Sequence, residues 1–165
     1  MEWHVEEKRA TQGLADEWQG IAHLFTRSVT HTAPTFYDPI QVQAWLSCAP
    51  ITSDQWRNRL RGQVLFLARQ GHGHVAGFAS LAHDGEIDML FVDPNSQRKG
   101  VATLLLTHVI ATAKRRGLSR LTTFASVAAH EFFTRRGFTT RCECHPQRGD
   151  ITLTNYFMEL QIERQ

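Results

Sequence analysis

Cysteine is scarce in this chain. Cys48, Cys142 and Cys144 are the only three among 165 residues. An odd count offers no disulfide framework and suits a reducing cytosol. No apolar run approaches the roughly 20 residues that a membrane-spanning helix needs. The N-terminal MEWHVEEKRA is charged and lacks the apolar core of a secretory signal. Neither sign of charge dominates: 18 Lys and Arg face 16 Asp and Glu, for a net charge of +2. That excess is too small to argue for nucleic acid as the main partner. Internal repeats, low-complexity tracts and Ser/Gly linkers are also missing. What is left is a chain with ordinary globular composition, 42% apolar and 21% charged. Its expected form is one cytoplasmic domain over residues 1–165 with a full hydrophobic core.

Periodicity divides the chain into elements. Residues 1–10 read as an edge strand. From Ala15, the set Trp18, Ile21, Ala22, Phe25 and Val29 has helical spacing. The prolines of HTAPTFYDP break that pattern, a short helix follows around Val42–Leu46, and Ser53 is placed to cap another that Gly62 stops. VLFLARQ (64–70), HVAGFASLAH (74–83) and EIDMLFVDP (86–94) read as strands, the last two joined by the hairpin signal Asp84-Gly85. The third is apolar enough to be central. Val101, Leu104, Leu105, His108, Val109 and Thr112 line one face of a helix ending in KRRG. LSRLTTFAS (118–126) is a strand, AAHEFFTRRG a short helix, and FTTRCECHP with ITLTNYFMELQI a closing antiparallel pair. The order β-α-α-α-β-β-β-α-β-α-β-β predicts an α/β (α+β) domain with a mixed, mostly antiparallel sheet of six to seven strands and four to five helices.

The stretch DPNSQRKGVATLLL, from Asp93 to Leu106, carries the first chemical signal. A strand hands over to a helix through a glycine turn with two cations. The first N–H groups of a helix have no internal partner and point outward at the positive end of its dipole. Gly100 lets an anion approach the backbone, Ala102 is small, and Arg98 and Lys99 add positive charge. A phosphate-bearing ligand fits such a turn. It is neither a P-loop, lacking Gly-Lys-Ser/Thr, nor a dinucleotide fingerprint, lacking G-x-G-x-x-G.

Gln97-Arg-Lys-Gly-Val-Ala102 resembles the Q/R-x-x-G-x-G/A signature of the GNAT superfamily of acetyl-CoA-dependent N-acetyltransferases. ASVAAHEFFTRRGF is similar to that superfamily's N-x-x-A-x-x-F-Y-x-x-x-G-F segment. FTRSVTHTAPTFYDPIQVQAW, IDMLFVDP and TNYFM resemble its YafP-type branch. The resemblance implies acetyl-CoA as cosubstrate and no metal. It places the pyrophosphate on Gln97, Arg98, Lys99, Gly100, Val101, Ala102 and Thr103, and the pantetheine arm along Leu90, Phe91 and Val92. It also assigns Ser126 and Phe133 of the later motif, where the family carries asparagine and tyrosine, to cofactor binding. Backbone N–H at Phe91 or Val92 would polarise the acyl carbonyl. Glu86, eleven positions ahead of Gln97, is where some members carry a general base. Asp88 lies two residues on, on the same strand face, and desolvation there would raise its pKa. Phe133 cannot protonate a leaving thiolate. Water or Tyr156 would have to, and a non-catalytic acyl-CoA-binding module is the alternative. Phe36 and Tyr37 would line the site of a primary amine, on a small molecule or a protein, in a monomer or homodimer. The spacing of Cys142, Cys144 and His145 does not match a zinc site.

Overall fold

The structure, a computed structural model, describes residues 2–10 and 17–163. The elements are β1 (Trp3–Arg9), α1 (Trp18–Thr32), α2 (Pro39–Ser47), α3 (Ser53–Arg59), β2 (Val64–Gln70), β3 (Gly77–Leu81), β4 (Ile87–Val92), α4 (Val101–Arg115), β5 (Arg120–Ser126), α5 (Val127–Arg135), β6 (Thr139–Cys144), β7 (Gln147–Arg148), β8 (Ile151–Thr152) and β9 (Asn155–Gln161). Single 3₁₀ turns follow α1 and β4. The mixed α/β architecture agrees with the order read from periodicity. Ala15 lies outside the described residues.

Two sheets carry the fold. β1-β2-β3-β4 form one antiparallel sheet, and β5-β9-β6 the other. β2 is buried along its apolar stretch because both of its faces are covered. On one face Phe66, Ala68, Ala79 and Leu81 meet Val101, Leu105, Val109 and Ala113 of α4. On the other, Leu65, Leu67 and Phe78 meet Trp18, Ile21, Phe25 and Trp56 of α1 and α3. The α4 layer continues under the second sheet through Leu121, Ala125, Phe133 and Met158.

Four local expectations are corrected. Thr52, not Ser53, caps α3: its side chain accepts from the Gln55 N–H while the Gln55 side chain reaches back to the Thr52 N–H, a reciprocal pair that Ser53 could not form. The second strand is confined to Gly77–Leu81. The closing pair exists, but β9 runs between β5 and β6, and a small β7-β8 hairpin precedes it. Finally, β4 is not a central strand in the hydrogen-bonded sense. It pairs with β3 on one side, and on the other meets β5 at a single parallel bridge between Glu86 and Thr122.

That bridge is held tightly. The Thr122 N–H donates to the Gly85 carbonyl at 3.0 Å, and the buried Thr123 hydroxyl donates to the Ile87 carbonyl at 3.0 Å. Gly85 has φ +96°, and a Cβ there would stand 2.6 Å from the Arg120 carbonyl oxygen, so no other residue fits without moving β5. Among the described residues no ladder joins the two strands beyond Ile87.

Candidate functional site

Backbone geometry determines what the open side of β4 presents. The Asp93 N–H donates to the Ala76 carbonyl at 2.8 Å, in register with the Gly77↔Val92 and Phe78↔Phe91 pairs. Antiparallel ladders alternate, so Phe91 and Met89 share the bonds with β3. Leu90 and Val92 turn their N–H and C=O groups toward the gap facing β5. Of the two N–H groups named from sequence, Val92 therefore faces the gap and Phe91 does not. Leu90, valued only for its place on the strand, joins Val92. Asp88 is the extra residue of a bulge, since Ser80 pairs with Met89 and Leu81 with Ile87.

Two cavities open beside this strand. One, of about 630 Å³, is lined by Leu90, Phe91 and Val92, by the turn residues Gln97, Arg98, Gly100, Val101, Ala102 and Thr103, and by α5. The turn is held from below. Arg27 pairs with Asp93 at 3.1 Å, Asp93 accepts from the Asn95 N–H, and the Gln97 amide donates to the Thr32 hydroxyl at 3.1 Å. Arg98 has φ +58° and Gly100 φ +83°, the latter with open space where a side chain would start. Two left-handed residues so close together gather N–H groups around one point at the start of α4. Arg135 and Arg136, at the end of the helix read from AAHEFFTRRG, also line this cavity. Arg136 lies 4.8 Å over the Phe132 ring and bonds the Thr103 hydroxyl, so it bridges α5 to the turn. The doublet RRG was the visible signal, but its nearness to Thr103 depends on the tertiary fold.

The other cavity, about 650 Å³, holds the carboxylates Glu86 and Asp88 on its floor. Phe25, Tyr37 and Trp45 also line it, as do His145, Pro146, Arg148 and Leu153 of the segment between β6 and β9. Asp88, only 11% exposed, accepts from both terminal nitrogens of Arg59 and from the Gln63 amide at 2.9 Å. It is bound into structure, whereas among the described residues no cation pairs with Glu86. Burial, and then the neighbouring charges of Asp88 and Asp84, push the Glu86 carboxyl above its ordinary range. The raised carboxyl in this site is that of Glu86.

The remaining named residues divide. Tyr37 is 7% exposed; its hydroxyl donates to the Thr154 carbonyl at 2.6 Å and accepts from the Val127 N–H at 3.0 Å. Burial pushes the Tyr37 phenol up. Phe36, 49% exposed, lines neither cavity, because the 3₁₀ turn directs Tyr37 inward in its place. Phe133 is core, 3% exposed, and borders the carboxylate cavity, not the one at the turn. Lys99 is exposed and lines neither cavity. Tyr156 also lines neither; its ring stacks on His130 with centroids 4.2 Å apart. Ser126 caps α5 by accepting from the Ala129 N–H. It lines both cavities, as do Trp45, Leu90, Phe91 and Ala129. The two chambers therefore meet at one point, beside the unpaired N–H groups of β4. Cys142 and Cys144 lie 3.5 Å apart, and among the described residues no three His, Cys, Asp or Glu side chains gather as a metal site would require. Nor, among those residues, is any helix long and apolar enough to cross a membrane.

Known proteins share this fold. The chain is 37% identical to the uncharacterized N-acetyltransferase YafP of Escherichia coli K12 over 146 residues, 86% of this chain and 88% of that protein. A GCN5-related N-acetyltransferase structure from Rhodopseudomonas palustris superposes with a TM-score of 0.86 at 29% identity, over 96% of this chain and 94% of that one. An acetyltransferase from Salmonella typhimurium, solved with acetyl-CoA, shares the fold with a TM-score of 0.70 at 20% identity, over 100% and 96%. Residues 19–160 match the acetyltransferase (GNAT) domain family. With the split between β4 and β5, the glycine turn and a match over most of its length, the chain belongs to the GNAT family of N-acetyltransferases.

Proposed function

We propose that this chain transfers an acetyl group from acetyl-CoA to a primary amine by direct attack, in the cleft between β4 and β5. The observation that carries this reading is the meeting of two cavities at Leu90, Phe91, Ser126 and Ala129. One chamber has the character of an anion site and the other holds an activated carboxylate. When bound, acetyl-CoA supplies an acyl group activated as a thioester. The turn from Gln97 to Thr103, with its converging N–H groups, would hold the pyrophosphate, and Arg98, Arg135 and Arg136 would neutralise further phosphate charge. The gap-facing backbone at Leu90 and Val92 would pair with the pantetheine amides, with the Leu90 or Val92 N–H directed at the acyl oxygen as negative charge develops.

Glu86 is the proposed base. An amine is protonated near neutral pH and must lose a proton before it can attack. A glutamate with a raised pKa is better matched to that task than an ordinary one. Asp88 would act beside it as a fixed negative charge held by Arg59. Phe133 has no proton to give, and Tyr156 lines neither chamber. A thiolate with a pKa of about 8.5, taken from the cysteine value, leaves with solvent as the proton source. Calorimetric titration with acetyl-CoA tests the first half of the reading. Binding in the micromolar range, weakened at least tenfold in Gly100→Glu, is expected; no binding at millimolar ligand would remove the reading. Coenzyme A release dependent on an added amine tests the second half. Binding without any such release would favour the non-catalytic acyl-CoA module.

A further inference from the structure

We infer that the acceptor is an amino acid or a similar small zwitterion, with its amine at Glu86 and an anionic group at Arg148. This inference rests on the acetyl-transfer reading above and goes further by naming the substrate class. It follows from a charge inventory of the carboxylate cavity. Five Arg, His, Glu and Asp side chains line that chamber: Arg59, Glu86, Asp88, His145 and Arg148. Arg59 and Asp88 satisfy each other through two hydrogen bonds. His145 faces Glu143 at 3.5 Å and the Thr154 hydroxyl at 3.5 Å. Two charges are left over. Among the described residues no cation forms an ion pair with Glu86, although the nearby Arg59 charge favours its ionised form, and no carboxylate pairs with the exposed Arg148, which donates to the neighbouring Gln147 carbonyl at 3.1 Å.

The two unmatched groups belong to different elements. Glu86 is on the floor, where β4 begins, and Arg148 is on the β7-β8 hairpin. That hairpin is anchored over the chamber: the Gln41 amide of α2 donates to the Thr152 carbonyl at 3.1 Å, and Tyr37 holds the Thr154 carbonyl. The same chamber has an apolar lining from Phe25, Trp45, Met89, Phe91 and Phe124. A ligand complementary to this surface has a cationic end, an apolar body and an anionic end. A simple alkylamine would leave Arg148 unmatched, and a polyamine would present it with a like charge.

Three pairs of amines test the inference: phenylalanine with phenethylamine, 4-(aminomethyl)benzoate with 4-methylbenzylamine, and 6-aminohexanoate with pentylamine. Each pair differs in the carboxylate, and the set spans several amine-to-carboxylate distances. Two readouts are taken, kcat/KM for acetylation and calorimetric affinity for protein saturated with coenzyme A. In at least one pair the carboxylated member is expected to win by about tenfold or more, the usual size of one charge-assisted contact. Arg148→Gln should collapse that ratio, Arg148→Lys should keep part of it, and Arg148→Glu should reverse it. Arg116→Gln, at the far end of α4, should leave it intact. A ratio near one in all three pairs, a ratio indifferent to Arg148, or failure of every amine to bind or react would overturn the inference. Arg148-dependent binding without acetylation would uphold it while removing the transfer reading. Turnover without preference would do the opposite.

Discussion

At the scale of single residues, the site turns on an asymmetry between two carboxylates two positions apart. Asp88 is committed to Arg59 and Gln63, while Glu86 has burial and like charge against its ionised form. A base works only when deprotonated. The acid limb of the kcat/KM profile should therefore lie above the 4.5 of an unperturbed glutamate. Activity should fall as pH drops through that raised value. Asp84→Asn removes one of the charges that raise it, so the limb should move to lower pH; a limb that stays in place would mean another group titrates. Glu86→Gln should cost about 10²-fold or more in kcat, the usual reach of a general base, with acetyl-CoA affinity retained. The sign for stability runs the other way. A carboxyl with a raised folded-state pKa contributes stability at low pH that is lost as pH rises through that value. Glu86→Gln should therefore unfold no earlier than wild type at pH 8. Tyr156→Phe, in the same assay, should stay within about threefold of wild type, since rate loss on the scale of proton-transfer catalysis requires contact with the reacting groups.

At the scale of elements, β4 is a strand with two different edges. Its Phe91 and Met89 N–H groups belong to the ladder with β3, and its Leu90 N–H faces the gap. Proline is tolerated in a strand where the lost N–H faces away from a partner. Leu90→Pro should therefore still fold, with cooperative thermal unfolding, yet lose about 10²–10³ in kcat if that N–H stabilises the acyl oxygen. Phe91→Pro should fail to fold, because it breaks the ladder inside a core formed by Phe25, Phe78 and Phe91. Full activity in Leu90→Pro would show that the Leu90 N–H is not required and leave Val92 as the donor. Much at this scale was legible in the chain itself. Helical spacing, the glycines after α4 and α5, and the run VLFLARQ mark most elements closely, because each signal is local. The bulge at Asp88 was not legible, since an extra residue exists only relative to a partner strand. The inward turn of Tyr37 in preference to Phe36 depends on hydrogen bonds to Val127 and Thr154, 90 and 117 positions away.

At the scale of the whole molecule, the fold is two sheets that part company where chemistry is proposed. Alternation along the chain says which residues share a face, but not which strands are neighbours. The insertion of β9 between β5 and β6, and the lone bridge between β4 and β5, could not be read from it. Nor could the approach of Arg136 to Thr103 or of Arg148 to Glu86's chamber, since both are products of that strand order. The split has a thermodynamic consequence. A ligand that spans the gap adds contacts between the halves in the folded state alone. At a concentration 100 times its Kd it contributes about 2.7 kcal/mol. For a chain of this size that corresponds to a rise in Tm of roughly 5–11 °C. Binding elsewhere would raise Tm as well, so the location must be read separately, and amide hydrogen exchange can do so. The Leu90 and Val92 amides face the gap and should slow on adding acetyl-CoA. The Phe91 amide, already in the ladder with Phe78, should change little. Equal slowing along β4 would mean that the whole strand was stabilised without direct pairing. No slowing at Leu90 and Val92, with Tm still raised, would put the ligand outside the cleft between β4 and β5.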